Sequence, residues 1–126
     1  MQDDLDSYPR EFQALVKHPK CFGRMNAPDC SAIIKGPCGD EMEFYLNIEK
    51  GVIKEIKFYT NGCEATIACG EVTARLARGR DIDAALGISP KQVKDVLKVL
   101  PVEHKHCAIL AVTTLYRALA EYLLQP

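Results

Sequence analysis

What this chain lacks narrows its function before any motif is read. It has no excess of one charge: 16 Lys and Arg stand against 17 Asp and Glu in 126 residues, a formal net charge of -1. The basic residues form no block, so the electrostatic footprint of a nucleic-acid binder is missing. No apolar run approaches the length that spans a bilayer. The opening stretch MQDDLDSYPREF is acidic where a secretory signal needs a positive region and an apolar core. The expectation is a cytoplasmic protein with neither nucleic acid nor membrane among its partners. Internal repeats, low-complexity tracts and linkers are also absent. Finally, no two of the six cysteines are spaced C-x-x-C, which excludes a zinc ribbon, a thioredoxin-like dithiol and a ferredoxin run.

What is present reads as one folded domain over residues 1–126. With 48% hydrophobic and 26% charged residues, the chain is an ordinary globular one, and at this length folding buries roughly two thirds of the unfolded surface. Six cysteines then need a reason, because cytosolic thiols are kept reduced and more often bind metal or react than form disulfides. They stand at 21, 30, 38, 63, 69 and 107, so any metal site is assembled from distant segments. The stretch GPCGD, residues 36–40, places Cys38 between rigid Pro37 and flexible Gly39 with a carboxylate, Asp40, two positions on. Glycine admits close approach of the backbone and proline fixes it. A tight turn with an incidental thiol would look the same over these five residues.

Hydrophobic periodicity supplies the map. Leu5, Phe12, Leu15 and Val16 predict an N-terminal helix within residues 1–17, docked on the body. Met42, Phe44, Leu46 and Ile48 alternate with polar neighbours as in a half-buried strand. A turn at 49–51 leads to a partner strand through Val52, Ile56 and Phe58, and residues 31–35 give a third strand. After TNG the period becomes helical, through Ala65, Ala68, Val72 and Leu76, and stops at Gly79. Ser89-Pro90 with Gln92 is a capping box that opens a helix running to Leu100 and ended by Pro101. Ile109, Val112, Leu115, Tyr116, Leu119 and Leu123 predict a last amphipathic helix. Strands come first and helices second. The fold class is α+β: a small antiparallel three-stranded sheet covered by helices.

On this map three thiols fall at element ends. Cys38 precedes the first strand of the hairpin, Cys63 enters a helix after Gly62, and Cys107, preceded by His106, starts the last helix. Helix N-termini favour the thiolate, the form that binds metal. Cys69 lies inside an Ala-rich helix, where a buried thiol is ordinarily a small hydrophobe. Cys21 and Cys30 could pair or ligate, but no glycine clearance or second ligand stands beside them. His18 reads as a loop residue, and His104, within EHKHC, as a neighbour of the site.

The segments HPKCFGRMNAPDCSAIIKGPCGD, YTNGCEATIACG and LPVEHKHCAILA, in this order, resemble the IscU and NifU N-terminal type of iron–sulfur cluster assembly scaffold from about His18 to Tyr122. The resemblance implies a non-enzymatic scaffold on which a transient two-iron, two-sulfide cluster is built and passed on. It implies Cys38, Asp40, Cys63 and Cys107 as cluster holders and His106 as an alternative ligand. Asp40 would keep the cluster labile, since a hard oxygen holds iron less firmly than a soft thiolate. The implied partners are a cysteine desulfurase, an iron donor, apo iron–sulfur recipient proteins and a second copy of the chain in a homodimer. Iron is the implied metal, with zinc able to take the same tetrahedral set. Cys107, at a helix start on the site rim, is the expected acceptor of persulfide sulfur. The chain departs from the family in LPVEHK, where a Leu-Pro-Pro-Val-Lys segment serves a chaperone, in Cys21 for asparagine, and in Cys69 for a usual serine. With no further cysteine-rich module after Pro126, the expectation is a stand-alone scaffold.

Two other classes compete on the residues alone. One is a zinc protein with a structural or regulatory site, although such sites are ordinarily closed Cys and His shells without a carboxylate. The other is a thiol enzyme using Cys107 or Cys63 as nucleophile and His106 or His104 as base.

Overall fold

The computed structural model describes residues 5–37, 39–98, 100 and 104–126. A short 3-10 turn, Leu5–Ser7, precedes α1, Arg10–Lys17. The N-terminal helix is thus shorter than expected, because Pro9 sits at its N-cap and cannot donate into a helix begun earlier. Then come β1 (Cys30–Lys35), β2 (Glu41–Glu49), β3 (Val52–Thr60), α2 (Glu64–Ala77), α3 (Ile82–Leu86), α4 (Pro90–Leu97) and α5 (Lys105–Leu123). The strands form an antiparallel sheet in the order β1-β2-β3. The expected α+β class and three-stranded sheet are therefore observed.

One sheet face makes the core. Met42, Phe44 and Leu46 of β2 and Phe58 of β3 are fully buried, each worth about 1.5–3 kcal/mol when removed from water, and α2 and α5 pack over them. The register shifts between Asn47 and Ile48, so that Ile48 pairs with Ile53. This bulge moves the buried position at the start of β3 from the expected Val52 to Ile53, as an extra residue in one strand does. Helix α2 lies so close to β3 that a Cβ on Gly70 would stand 2.5 Å from the Phe58 ring.

The other face of the sheet carries Glu43, which accepts two hydrogen bonds from the Arg24 guanidinium and one from the Tyr45 hydroxyl. Arg24 also stacks over Tyr59. That pairing holds the Glu43 carboxyl below its ordinary pKa, with the hydrogen bond from Arg24 as the main cause. Residues 21–23 run beside the edge of β3: Phe58 N donates to Cys21 O and Gly23 N to Phe58 O. An otherwise open strand edge is thus covered.

The helical half differs from the sequence reading in detail. Asp81 accepts from Ala84 N and caps the unforeseen five-residue α3. The Ser89–Gln92 capping box is present in both directions. Helix α4 ends at Leu97, where Lys98 takes a positive φ of 63, three residues before the expected stop; Pro101 lies outside the described residues. In α5, Val112, Leu115 and Leu119 are buried as expected, whereas Ile109 and Leu123 are 54% and 56% exposed. No described helix is long and apolar enough to cross a membrane.

Candidate metal centre

Three loops meet where α2 and α5 begin. The loop at 36–40 closes on itself through Gly36 N to Asp40 O at 2.7 Å and Gly39 N to Gly36 O at 3.1 Å. Gly39 has φ +92, a left-handed conformation that disfavours any side chain. This loop is stitched to the one that delivers Cys63. Thr60 Oγ1 donates to Glu41 O, Gly62 N donates to Thr60 Oγ1, and Glu41 N donates to Asn61 Oδ1. A Cβ on Gly62 would lie 2.7 Å from both Asp40 Oδ2 and Thr66 Oγ1. The glycine before Cys63 is therefore a requirement of the carboxylate's approach.

Cys63 is the N-cap of α2, Cys107 lies in the first turn of α5, and Thr66 stands between them. Thr66 Oγ1 donates to Asp40 Oδ2 at 2.9 Å and touches Cys107 Sγ at 3.4 Å and Cys63 Sγ at 3.7 Å. The ligand atoms of Cys63, His104 and Cys107 all lie within 4.8 Å of one another. His104 Nδ1 is 4.0 Å from Cys107 Sγ, and His106 Nε2 is 3.6 Å from the same sulfur.

The electrostatics distinguish the two thiols. Cys63 is pulled down to about 5, first by the hydrogen bond from Cys107, against the opposing effect of burial, and further by the backbone N–H groups of Thr66 and Ala65. Cys107 is pushed up by the same hydrogen bond and by burial. That shared hydrogen bond couples the two thiols, favouring the thiolate at half-exposed Cys63 and the proton at buried Cys107. A half-exposed thiolate beside a buried thiol, an imidazole and a hydroxyl-tethered carboxylate can take up a borderline or soft cation, or attack an electrophilic sulfur.

Of the site residues expected from sequence, the structure brings together Asp40, Cys63 and Cys107, with His106 against Cys107. Cys38 lies outside the described residues. Cys107 is only 1% exposed, so it is a floor of the site and not a rim; helix α5 buries it against α2. Thr66 was missed, and His104, expected as a neighbour of the site, has its ligand nitrogen within 4.8 Å of both sulfurs. Thr66 follows Cys63 by three positions and His104 precedes Cys107 by three, and residues so spaced share one helix face. That spacing was the available signal. Cys21, Cys30 and Cys69 are free and buried, with burial the first cause raising each thiol, Cys30 and Cys69 to about 12. They have the character of core residues.

Comparison with known proteins places the chain in a family. The NifU-like N terminal domain model matches residues 7–126, and the chain belongs to that family. It is 35% identical over 107 residues to the iron–sulfur cluster assembly scaffold protein IscU 1 of Archaeoglobus fulgidus, covering 84% of this chain and 70% of that one. It is 29% identical to the scaffold protein IscU of Haemophilus influenzae, covering 84% and 87%. Among solved structures, a candidate iron–sulfur cluster assembly scaffold for the SUF system of Fervidobacterium islandicum superposes with a TM-score of 0.72 over 89% of this chain and 96% of that one, at 21% identity. The N-terminal part of a NifU-like protein of Brucella abortus gives 0.57 at 22% identity, over 94% and 86%. Both show that the fold is shared.

Proposed function

We propose that this protein is a scaffold on which an iron–sulfur cluster is assembled and from which it is handed to apo-proteins. The observation that carries the reading is the meeting of Cys63, Cys107 and the Thr66-tethered Asp40 at the joined ends of two helices in a member of this family. The cluster is cargo. Cys38, two residues before Asp40 in sequence, supplies the third thiolate. Asp40, a hard ligand held by one hydroxyl hydrogen bond, completes the set loosely enough for release. The cargo is a two-iron, two-sulfide cluster, and zinc competes for the same thiols.

A cysteine desulfurase delivers the sulfur. The Cys63 thiolate attacks the terminal sulfur of the donor persulfide; a new S–S bond forms at Cys63, the donor S–S bond breaks, and the donor cysteine leaves as a thiolate. An iron donor and apo recipients complete the partners, and the site of action is the cytoplasm. Anaerobic incubation with ferrous iron and sulfide, followed by visible absorption, tests the reading. Sulfide-to-iron charge-transfer bands are expected in the wild type and absent from Cys63→Ser and Cys107→Ser. A wild type that binds only a single ion without those bands would overturn the scaffold reading in favour of a zinc protein.

A further inference from the structure

Helix α5 turns one face to the metal centre and leaves the opposite face bare. Lys105, Ile109 and Thr113 recur at intervals of four and form one exposed stripe along the outside of the helix. Cys107, two positions from both Lys105 and Ile109, points the other way, towards Thr66 of α2. Ile109, 54% exposed, lines two grooves of about 320 and 250 Å³. The first runs between α4 and α5 over Leu100 and Ala108. The second runs from α5 to the end of β1 over Ile34, Pro37 and Leu110, and it reaches His106, which touches Cys107.

Charge sets this strip apart from the rest of the surface. Lys91, Lys94 and Lys105 line the first groove and Lys35 the second, and among the described residues neither groove has a carboxylate in its lining. Lys91 is paired with Asp95 of its own helix, an exposed pair worth little. Among the described residues, Lys35, Lys94 and Lys105 make no such pair. In a chain of net charge -1, an apolar strip flanked by lysines complements a partner that is acidic around an apolar tip. A cluster recipient has that chemistry: its receiving loop presents several thiolates at once, usually four, whereas a sulfur donor presents a single persulfide.

We infer that Ile109, with Lys35, Lys94 and Lys105 around it, is the docking surface for the cluster recipient, an apo-protein whose thiolate-bearing loop is flanked by acidic and apolar side chains. The inference rests on the scaffold reading and adds to it the side from which the recipient approaches.

The test times cluster transfer from the reconstituted full chain to an acidic apo-ferredoxin at stepped ionic strength, read by visible absorption, and follows the amide NMR shifts of the apo chain titrated with the same apo-ferredoxin. In the wild type the second-order transfer rate should fall as salt rises. Charge steering raises association rates by about tenfold or more, so Lys35→Glu combined with Lys94→Glu is expected to slow transfer about tenfold at low salt and to flatten its salt dependence. Ile109→Ser removes the central apolar contact and is expected to slow transfer about tenfold at every salt concentration. Lys54→Glu, exposed on β3 at the far edge of the sheet, should keep the wild-type rate. Each variant should still form a cluster from ferrous iron and sulfide alone. Wild-type transfer in the double reversal and in Ile109→Ser, or an equal loss in Lys54→Glu, would overturn the assignment. So would a defect confined to desulfurase-driven sulfur delivery, which would give the strip to the sulfur donor. Amide shifts confined to the strip in a chain that forms no cluster would leave the docking surface standing and sink the scaffold reading; a cluster passed on at rates indifferent to the reversals gives the opposite.

Discussion

Two of the buried polar groups on helix α2, Thr66 and Glu71, lie five residues apart and have opposite surroundings. Glu71 is fully buried, and its carboxylate is saturated: it accepts from Lys20 N and Cys21 N at 3.0 Å each and from Arg75 Nε at 2.6 Å. Thr66 is equally buried, but its hydroxyl has one proton, given to Asp40, and otherwise faces two sulfurs at 3.4 and 3.7 Å. The first set is closed and holds the 20–23 segment against the β3 edge. The second is open, composed of groups that bind cations better than they bind one another. A buried polar group that is fully partnered supports the fold; one surrounded by thiols and a carboxylate waits for a ligand.

The largest effect expected at the open end is functional. Cys63→Ser and Cys107→Ser should each abolish stable cluster formation, because the thiolates come from separate elements and none substitutes for another. Cys69→Ser should still assemble a cluster, since that thiol is buried and held protonated. Visible absorption after anaerobic reconstitution reads all three. A cluster lost in Cys69→Ser and kept in Cys63→Ser would move the site along α2 and erase the contrast.

At the closed end the largest effect should be on stability. Glu71→Ala leaves two backbone N–H groups without their partner, at about 1–3 kcal/mol each where water cannot reach them, while half-exposed Arg75 rehydrates. A loss of about 2–4 kcal/mol in urea unfolding is expected. Cluster formation per folded molecule should not change, and a variant that folds normally but builds no cluster would show the two ends to be coupled.

The pH dependence sharpens the same contrast. Cys63 titrates near 5 in the fold against an ordinary 9.0. Its contribution is therefore fully present above the ordinary value and lost as pH falls toward about 5. Cys107 is raised, so its contribution is present below the ordinary value and lost above it. Between pH 5 and 9 the unfolded pair binds more protons, and apo stability should climb with pH across that window. The climb should flatten in Cys63→Ser, as measured by denaturant midpoints; an equal slope in the variant would show that the anion is not on Cys63. The same lowered thiol should take up persulfide sulfur before buried Cys107 does, which mass spectrometry after incubation with a desulfurase and cysteine would read.

The sheet was legible because alternation survives in a strand with one buried face: Met42, Phe44, Leu46 and Ile48 read inward and are inward. The bulge at Asn47/Ile48 was not, because it changes only which of Val52 and Ile53 is buried, and both are apolar. The short helix α3 left no period to detect in five residues. At the site, cysteines are rare enough to stand out, so Cys63 and Cys107 were visible in sequence. Thr66 does not stand out, because threonine is common inside helices, and His104 reads only as a neighbour of the site, because EHKHC offers two histidines. Only the i, i+3 relation to each cysteine separates them, and that relation gains meaning once the helix start is known.

The smallest expected change tests whether Thr66 belongs to the fold or to the cargo. Thr66→Val conserves shape and removes the hydroxyl. One net hydrogen bond is worth about 0.5–1.5 kcal/mol, and Asp40 is only part-buried, so water can replace the lost donor; the stability change should stay within about 1 kcal/mol. Yet the hydroxyl is the tether that sets where Asp40 Oδ2 lies relative to both sulfurs. If Asp40 keeps the cluster labile, Asp40→Ala should lengthen the cluster's lifetime in air and slow its transfer to an apo-ferredoxin, because softer ligands complete the site. Thr66→Val should move both rates in the same direction by a smaller factor, and the double variant should add little to Asp40→Ala, since residues acting through one contact are not additive. Independent, additive effects on transfer would mean that Thr66 acts on the sulfurs directly. A faster-decaying cluster in Asp40→Ala would show that the carboxylate stabilises the cargo.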